Sequence, residues 1–269
     1  MKKYEALLRR IEDLGSVLVA YSGGVDSTLL SFSAHAVLGP GCKAVLATSD
    51  TYPESEVSAA RALSRELGFN LIEVETFELA DPRFAENTAE RCYFCKWELF
   101  GLLTRVAEVE GMDYVADGSN ADDLADFRPG RRAAVEHGVV SPLQDVGMTK
   151  ADIRRIAREL GLPNWDKPSM ACLASRFPYG HPIDELSLTR VAMAESSLRE
   201  LGLSQFRVRA HGDVARLEVD PKDMELAWGL RGRIAEIVRG AGFVWVAQDL
   251  DGYRTGSLNE MLSADELDV

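Results

Sequence analysis

An α/β fold is expected, with a parallel sheet carrying helices on both faces and a smaller C-terminal α+β domain after it. Three observations predict it. Short apolar runs alternate with helix-length amphipathic segments over residues 3–161, the pattern of strand–helix–strand units around a parallel sheet. Four prolines, Pro163, Pro168, Pro178 and Pro182, then punctuate a connector. Beyond the connector the order changes to helix, strand, strand, helix, strand.

Taken in order, a first helix is expected over 3–14. The run from Val17 to Tyr21 is short and wholly apolar, as a buried parallel strand should be, and it enters a glycine turn and a helix over 27–35. A strand over 43–49 and a helix over 54–67, closed by Gly68, come next. A strand over 70–74, a helix over 93–109 and a strand over 114–116 follow. The apolar segment 139–141 precedes a helix that Thr149 caps and that ends at Gly161-Leu162-Pro163. After the connector come a helix over 188–201, strands over 205–210 and 215–219, a helix over 223–239 and a strand over 243–248. The domains are therefore expected at 1–168 and 169–269, with the acidic tail 263–269 frayed.

Composition narrows the function classes. With 46% hydrophobic and 27% charged residues, the chain has the make-up of a soluble globular protein, and no apolar run reaches the ~18 residues of a membrane span. Its start, Met1-Lys2-Lys3-Tyr4-Glu5-Ala6, lacks the apolar core of a signal peptide, so a cytoplasmic location is expected. Thirty basic against 43 acidic residues give a formal charge of −13. Such a chain repels phosphate backbones on average, which weighs against a nucleic-acid partner. Four cysteines in a cytosolic chain of this size point to metal binding or catalysis before disulfides.

The turn after the first strand reads Ser22-Gly23-Gly24-Val25-Asp26-Ser27. Adjacent glycines let backbone N–H groups approach an anion, and the helix behind them favours negative charge. Ser22 and Ser27 add hydroxyl donors, and Asp26 can hold Mg2+ against phosphate oxygens. No Gly-Lys-Ser/Thr is present, so the P-loop of kinases and GTPases is excluded. The string resembles the PP loop of the ATP-pyrophosphatase superfamily, which has the adenine nucleotide α-hydrolase-like fold. The resemblance implies ATP cleavage to AMP and pyrophosphate with adenylation of a substrate.

Cys92 and Cys95 form a Cys-x-x-Cys near the start of a predicted helix, and Cys172 lies in the connector. Cys42 stands just before a strand of about eight residues, on the order of 25 Å from the nucleotide edge, and reads as a small buried residue. Cys92 and Cys95 fit several chemistries: a redox pair, structural zinc short of its fourth ligand, an iron–sulfur cluster with one open iron, or unrelated thiols.

The run Arg91-Cys92-Tyr93-Phe94-Cys95-Lys96 and the run Asp117-Gly118-Ser119-Asn120-Ala121-Asp122-Asp123 carry a further resemblance. So do Arg128-Pro129-Gly130-Arg131, Cys172-Leu173-Ala174-Ser175-Arg176-Phe177-Pro178-Tyr179-Gly180, Phe206-Arg207-Val208-Arg209-Ala210-His211-Gly212 and Tyr253-Arg254-Thr255-Gly256-Ser257. Together with the loop they resemble the LarE sulfur transferases over nearly the whole chain. The resemblance implies adenylation of the carboxylates of pyridinium-3,5-biscarboxylic acid mononucleotide and their conversion to thiocarboxylates, in making the nickel-pincer nucleotide of lactate racemase. It implies two alternatives for the sulfur. Either Cys172 gives up its own sulfur and becomes dehydroalanine, or Cys92, Cys95 and Cys172 hold a [4Fe-4S] cluster whose open iron carries sulfide. Because this chain has all three cysteines, the cluster is the expected form. The cofactors implied are ATP, Mg2+ and [4Fe-4S]. The partners implied are a small nucleotide substrate, other proteins of nickel-pincer biosynthesis, and copies of the chain in a homo-oligomer, with a hexamer as one form.

Further residues match family positions. Arg207 and Arg209 alternate on a predicted strand and share a face; they are read either as ligands for the substrate phosphate or as a solvated face with Phe206 and Val208 inward. Glu195 and Glu218 are candidates for metal or substrate positioning, and Arg176 for pairing with the AMP phosphate or the substrate carboxylate. Trp97 is read as stacking on a flat ring or as ordinary core. Asp122 and Asp123 are read as ligands or helix caps. His137, His181 and His211 have no metal-site spacing. Two rivals stand beside the main reading: a tRNA-thiolating PP-loop enzyme, which should show a basic surface, and an amidating synthetase, which leaves the cysteines unexplained.

Overall fold

The computed structural model describes residues 1–125, 129–168, 171–254 and 256–262. Arg128, Thr255 and the tail 263–269, named above, lie outside the described residues. The chain divides into two compact units.

The first unit, Met1–Glu78 with Cys92–Met170, holds a four-stranded parallel sheet in the order β3-β2-β1-β4. Its strands are β1 (Val17–Tyr21), β2 (Cys42–Thr48), β3 (Leu71–Glu75) and β4 (Tyr114–Ala116). Val140 extends the sheet by a single parallel bridge to Ala116. Successive residues of β1 face opposite sides, and both sides are covered. Val17 and Val19 meet α1 (Lys2–Glu12), α2 (Val25–Leu38) and α8 (Lys150–Glu159), packing with Leu7, Ile11, Leu29, Ile153 and Ile156. Leu18, between them, packs with Phe100 and Leu103 of α5 (Arg91–Glu110) and with Ala133 of α6 (Gly130–Glu136). Tyr21 and Leu46 pack with Val57 and Ala60 of α3 (Glu54–Glu66). Thr149 caps α8 through a capping box with Asp152. Helix α2 has no polar face; Thr28, Ser31 and Ser33 are buried with its leucines, so it lies inside the unit.

The second unit comprises Leu79–Arg91 and Ala171–Val269. Its sheet has the order β5-β6-β7, with β5 (Phe206–His211) antiparallel and β7 (Trp245–Gln248) parallel to β6 (Val214–Val219). Helix α9 (Glu185–Arg199) buries Leu188, Val191, Ala194 and Leu198, and packs on β5 and on α11 (Arg231–Gly240). The segment Leu79–Arg91, with the single-turn α4 (Pro82–Ala85), groups with this unit although it falls inside the 1–168 expected for the first domain.

Two further differences have local causes. The helix expected over 223–239 is two helices, α10 (Met224–Gly229) and α11, because Leu230, at φ −93° and ψ 8°, leaves helical geometry between them. Helices α4, α6 and α7 (Pro142–Asp145) were not expected from periodicity; each is too short to show one, and each starts at or beside a proline. Among the described residues no helix is long and apolar enough to cross a membrane.

Candidate functional site

In the first unit only Ser22, Gly23 and Gly24 separate β1 from α2. Gly23 has a φ of +69°, and a Cβ placed there would stand 2.7 Å from Cβ of Ala60 on α3. No side chain fits that position. The Ser27 hydroxyl accepts the Ser22 N–H at 3.1 Å, meets the Ser22 hydroxyl at 3.1 Å and donates to the Gly24 carbonyl at 3.2 Å. From the other side Asn164 Nδ2 donates to the Gly23 carbonyl at 3.1 Å and to Thr28 Oγ1 at 3.0 Å, with Lys167 Nζ 3.4 Å from the same carbonyl. The loop is thus held before any ligand arrives. Gly118, beyond β4, comes so close that a Cβ there would lie 3.1 Å from the Ser27 nitrogen.

Asp26 lies in the first turn of α2. Its Oδ2 is paired with Lys150, while its Oδ1 is buried and has no hydrogen-bond partner. Burial pushes the carboxyl up from its ordinary value, and Lys150 opposes that shift. A buried carboxylate oxygen without a hydrogen-bond partner is a donor of the kind that a hard cation such as Mg2+ takes. Lys150 N–H donates to Asp122 Oδ2 at 2.8 Å, and Asp123 Oδ2 accepts the Asn120 N–H at 2.9 Å, so Asp122 serves the start of α8 and Asp123 its own turn.

Lys150, Asn164 and Lys167 were missed from the sequence. One signal was present for Lys150: a cation as the first residue of a helix opposes the helix dipole, so it needs an anion nearby.

Cys92 and Cys95 sit in the first turn of α5, three residues apart and therefore on adjoining faces, and both are half-buried. At about 100° per residue Trp97 projects about 160° away from Cys95. Its ring, 40% exposed, lies 4.4 Å from His137 and 5.9 Å from Tyr93, so it is not core. Cys42 opens β2, is buried, and burial pushes its thiol up to about 12. Among the described residues no cysteine is in a disulfide.

In the second unit Cys172 is half-buried and precedes a 3-10 turn, Leu173–Arg176. Arg176 is fully buried and forks onto Glu195, with Nε–Oε1 and Nη2–Oε2 both 2.8 Å. Its Nη1 donates to the carbonyls of Ala171 at 2.8 Å and Cys172 at 3.1 Å. Glu195 Oε1 also accepts the Val208 N–H at 3.0 Å. Burial alone would raise the Glu195 carboxyl, but Arg176 and the Val208 amide hold it below the usual range.

Strand β5 is buried along both faces. Arg207 and Arg209 are only 5% and 6% exposed, which removes the solvated-face reading. Arg209 donates to Glu218 at 2.7 Å, to the Ser175 carbonyl at 2.5 Å and to Ser257 at 3.2 Å. Arg216 approaches the other Glu218 oxygen at 3.1 Å and pairs with Asp249. Arg207 donates to the Phe206 carbonyl at 2.7 Å and lies over the Tyr253 ring at 5.2 Å; burial lowers its pKa, and Arg176 adds to that. Among the described residues four guanidiniums, Arg176, Arg207, Arg209 and Arg216, gather in this unit with the carboxylates of Glu195, Glu218 and Asp249. Such a cluster suits an anion such as a phosphate.

Among the described residues no group of three or more His, Cys, Asp or Glu side chains converges as a metal site. His181 and His211 are neighbours at 6.5 Å, and burial and Arg216 hold His211 below its ordinary value. As donors Cys92 and Cys95 are half-buried thiols three residues apart near the start of α5, the ligand type that iron–sulfur clusters take.

No family model matches the chain. The chain is 42% identical to an uncharacterized protein of Synechocystis sp. over 97% of its own length and 98% of that relative. It is 36% identical to the pyridinium-3,5-bisthiocarboxylic acid mononucleotide synthase of Lactiplantibacillus plantarum, over 98% of this chain and 96% of that one. A shorter match, 29% identical over 60% of this chain and 54% of the relative, is to a glutamine-hydrolyzing GMP synthase component from Methanopyrus kandleri.

Proposed function

This chain belongs to the LarE family of PP-loop sulfur transferases, and from that premise we propose that it adenylates the carboxylates of pyridinium-3,5-biscarboxylic acid mononucleotide and converts them to thiocarboxylates. The observation that carries the activation step is the preformed loop from Ser22 to Ser27 with the unsatisfied Asp26 Oδ1 beside it.

A carboxylate is a poor electrophile because oxide would have to leave. Attack of its oxygen on the α-phosphorus of ATP forms a mixed anhydride and breaks the bond to pyrophosphate. Sulfide then adds to the acyl carbon, and the tetrahedral adduct expels AMP, leaving a thiocarboxylate. In the first step Ser22, Ser27 and the loop amides hold the phosphate oxygens, and Asp26 would hold Mg2+, which when bound supplies positive charge for the departing pyrophosphate. Lys150 keeps Asp26 in place and brings a cation to the same phosphates. In the second unit Arg207 and Arg209 take the phosphate of the mononucleotide, Glu218 orienting Arg209. Arg176 and Glu195 fix the main chain at Cys172.

The sulfur carrier we propose is a [4Fe-4S] cluster held by Cys92, Cys95 and Cys172, which when bound supplies an iron site where sulfide stays deprotonated at neutral pH. The product would pass to other proteins of nickel-pincer biosynthesis, and the working form would be a cytoplasmic homo-oligomer. The formal charge of −13 favours this small acceptor over tRNA.

An anaerobic assay with ATP, Mg2+ and the bis-carboxylate nucleotide tests the activation step. Pyrophosphate should form only when the nucleotide is present, and AMP should follow once sulfide is added. ATP hydrolysis to ADP would contradict it.

A further inference from the structure

Between Cys172 and Ile183 the chain has one 3-10 turn and no strand, so most carbonyls there lack regular partners. Side chains from the Leu79–Arg91 segment of the same unit take that place. Asn87 Nδ2 donates to the carbonyls of Pro178 at 2.7 Å, His181 at 2.8 Å and Phe177 at 3.4 Å. Its Oδ1 accepts from Arg91 Nη1 at 2.5 Å, and the same Nη1 donates to the Ala174 carbonyl at 2.9 Å. The main chain joins in: Gly180 N–H donates to the Asn87 carbonyl at 2.9 Å, and Ile183 N–H to Ala85 at 2.8 Å. The Arg91 guanidinium lies over the Tyr179 ring at 5.4 Å.

Asn87 is 0% exposed and Arg91 3%. Asn87 has a φ of +57°, and among the described residues it is the one non-glycine with positive φ. Asparagine adopts this conformation more readily than most residues, and here it aims both ends of the amide into the segment.

We propose that Asn87 and Arg91 are positioning residues for Cys172. They lock the carbonyls on its C-terminal side so that the thiol is presented from one fixed turn. The inference rests on the reading above that Cys172 handles the transferred sulfur.

The test is peptide-resolved alkylation by iodoacetamide across a pH series. It uses the reduced full chain, freed of iron by a chelator, with Asn87→Gly, Asn87→Ala and Arg91→Lys. Gly tolerates the positive φ while removing the amide, whereas Ala removes the amide and adds backbone strain. All three variants should label Cys172 roughly tenfold faster, as loss of about 1.4 kcal/mol of hydrogen bonding predicts, with the shape of the pH profile kept. Buried Cys42 should stay unlabelled. An unchanged Cys172 rate in Asn87→Gly would overturn the proposal, and so would labelling of Cys42 together with Cys172, which marks global unfolding. ATP–pyrophosphate exchange run alongside separates the two readings: its absence in the unsubstituted chain counts against adenylation and leaves the alkylation result standing.

Discussion

Replacing Gly23 by alanine strikes the loop where the fold leaves least room. The residue has a φ of +69°, which costs an L-residue about 1–2 kcal/mol. The new methyl would lie 2.7 Å from Cβ and 3.0 Å from Cα of Ala60, inside any normal contact. Ala60 is buried on α3 behind Val57 and Tyr21, so relief requires moving the helix or the loop, at about 1–3 kcal/mol. Gly23→Ala should therefore lose about 2–5 kcal/mol of stability in urea unfolding. ATP-dependent pyrophosphate exchange should fall with it, because the Gly23 carbonyl can no longer meet Asn164 and Lys167. Gly24→Ala is the stability control: Gly24 has a φ of −75°, and its new Cβ meets only Ser22 Oγ at 3.4 Å. A Gly23→Ala chain as stable as Gly24→Ala would refute the packing of the loop against α3.

Lys150→Met should lower pyrophosphate exchange roughly a hundredfold while changing stability by less than about 1 kcal/mol, since the Asp26 pair is partly exposed. Exchange within about twofold of normal would remove Lys150 from the site. Glu195→Gln should cost roughly 3 kcal/mol at pH 7, because it leaves the buried Arg176 charge without its partner. The Glu195 carboxyl is held low in the folded chain, so its contribution is present above the ordinary carboxylate value of about 4.3 and is lost as pH falls through the lowered one. Acid unfolding curves of the two chains should converge at low pH, and a constant gap would contradict the ion pair. Cys42→Ala should leave sulfur transfer intact and cost about 1 kcal/mol of stability as a small cavity, whereas loss of activity would bring Cys42 into the chemistry.

The parallel sheet was legible because β1, β2 and β4 are short, mostly apolar runs and helices such as α3 and α8 carry a clear apolar stripe. The Thr149 cap was legible because its signal is local. The nucleotide loop could be read as a string, since glycine and hydroxyl positions there are set by backbone geometry. What holds the loop was not legible. Asn164 and Lys167 reach Gly23 from more than a hundred residues away, and nothing local marks them. The alternation of Arg207 and Arg209 placed them on one face, but burial of that face depends on the Glu218 carboxylate from β6 and on the Ser175 carbonyl. Glu195 and Arg176 likewise became a pair only through the packing of α9 against the 3-10 turn. Asn87 looked like an ordinary loop polar residue, because its role is to satisfy carbonyls some ninety positions later.

Product counting with intact-mass measurement bears most directly on the proposed chemistry. Under anaerobic conditions the iron-loaded chain would receive ATP, Mg2+, sulfide and the bis-carboxylate nucleotide, and thiocarboxylate and AMP would be counted per chain. Several thiocarboxylates per chain, one AMP for each and an unchanged polypeptide mass are predicted. A single thiocarboxylate per chain with loss of one hydrogen sulfide at Cys172 would contradict the cluster route and show the cysteine itself to be the donor.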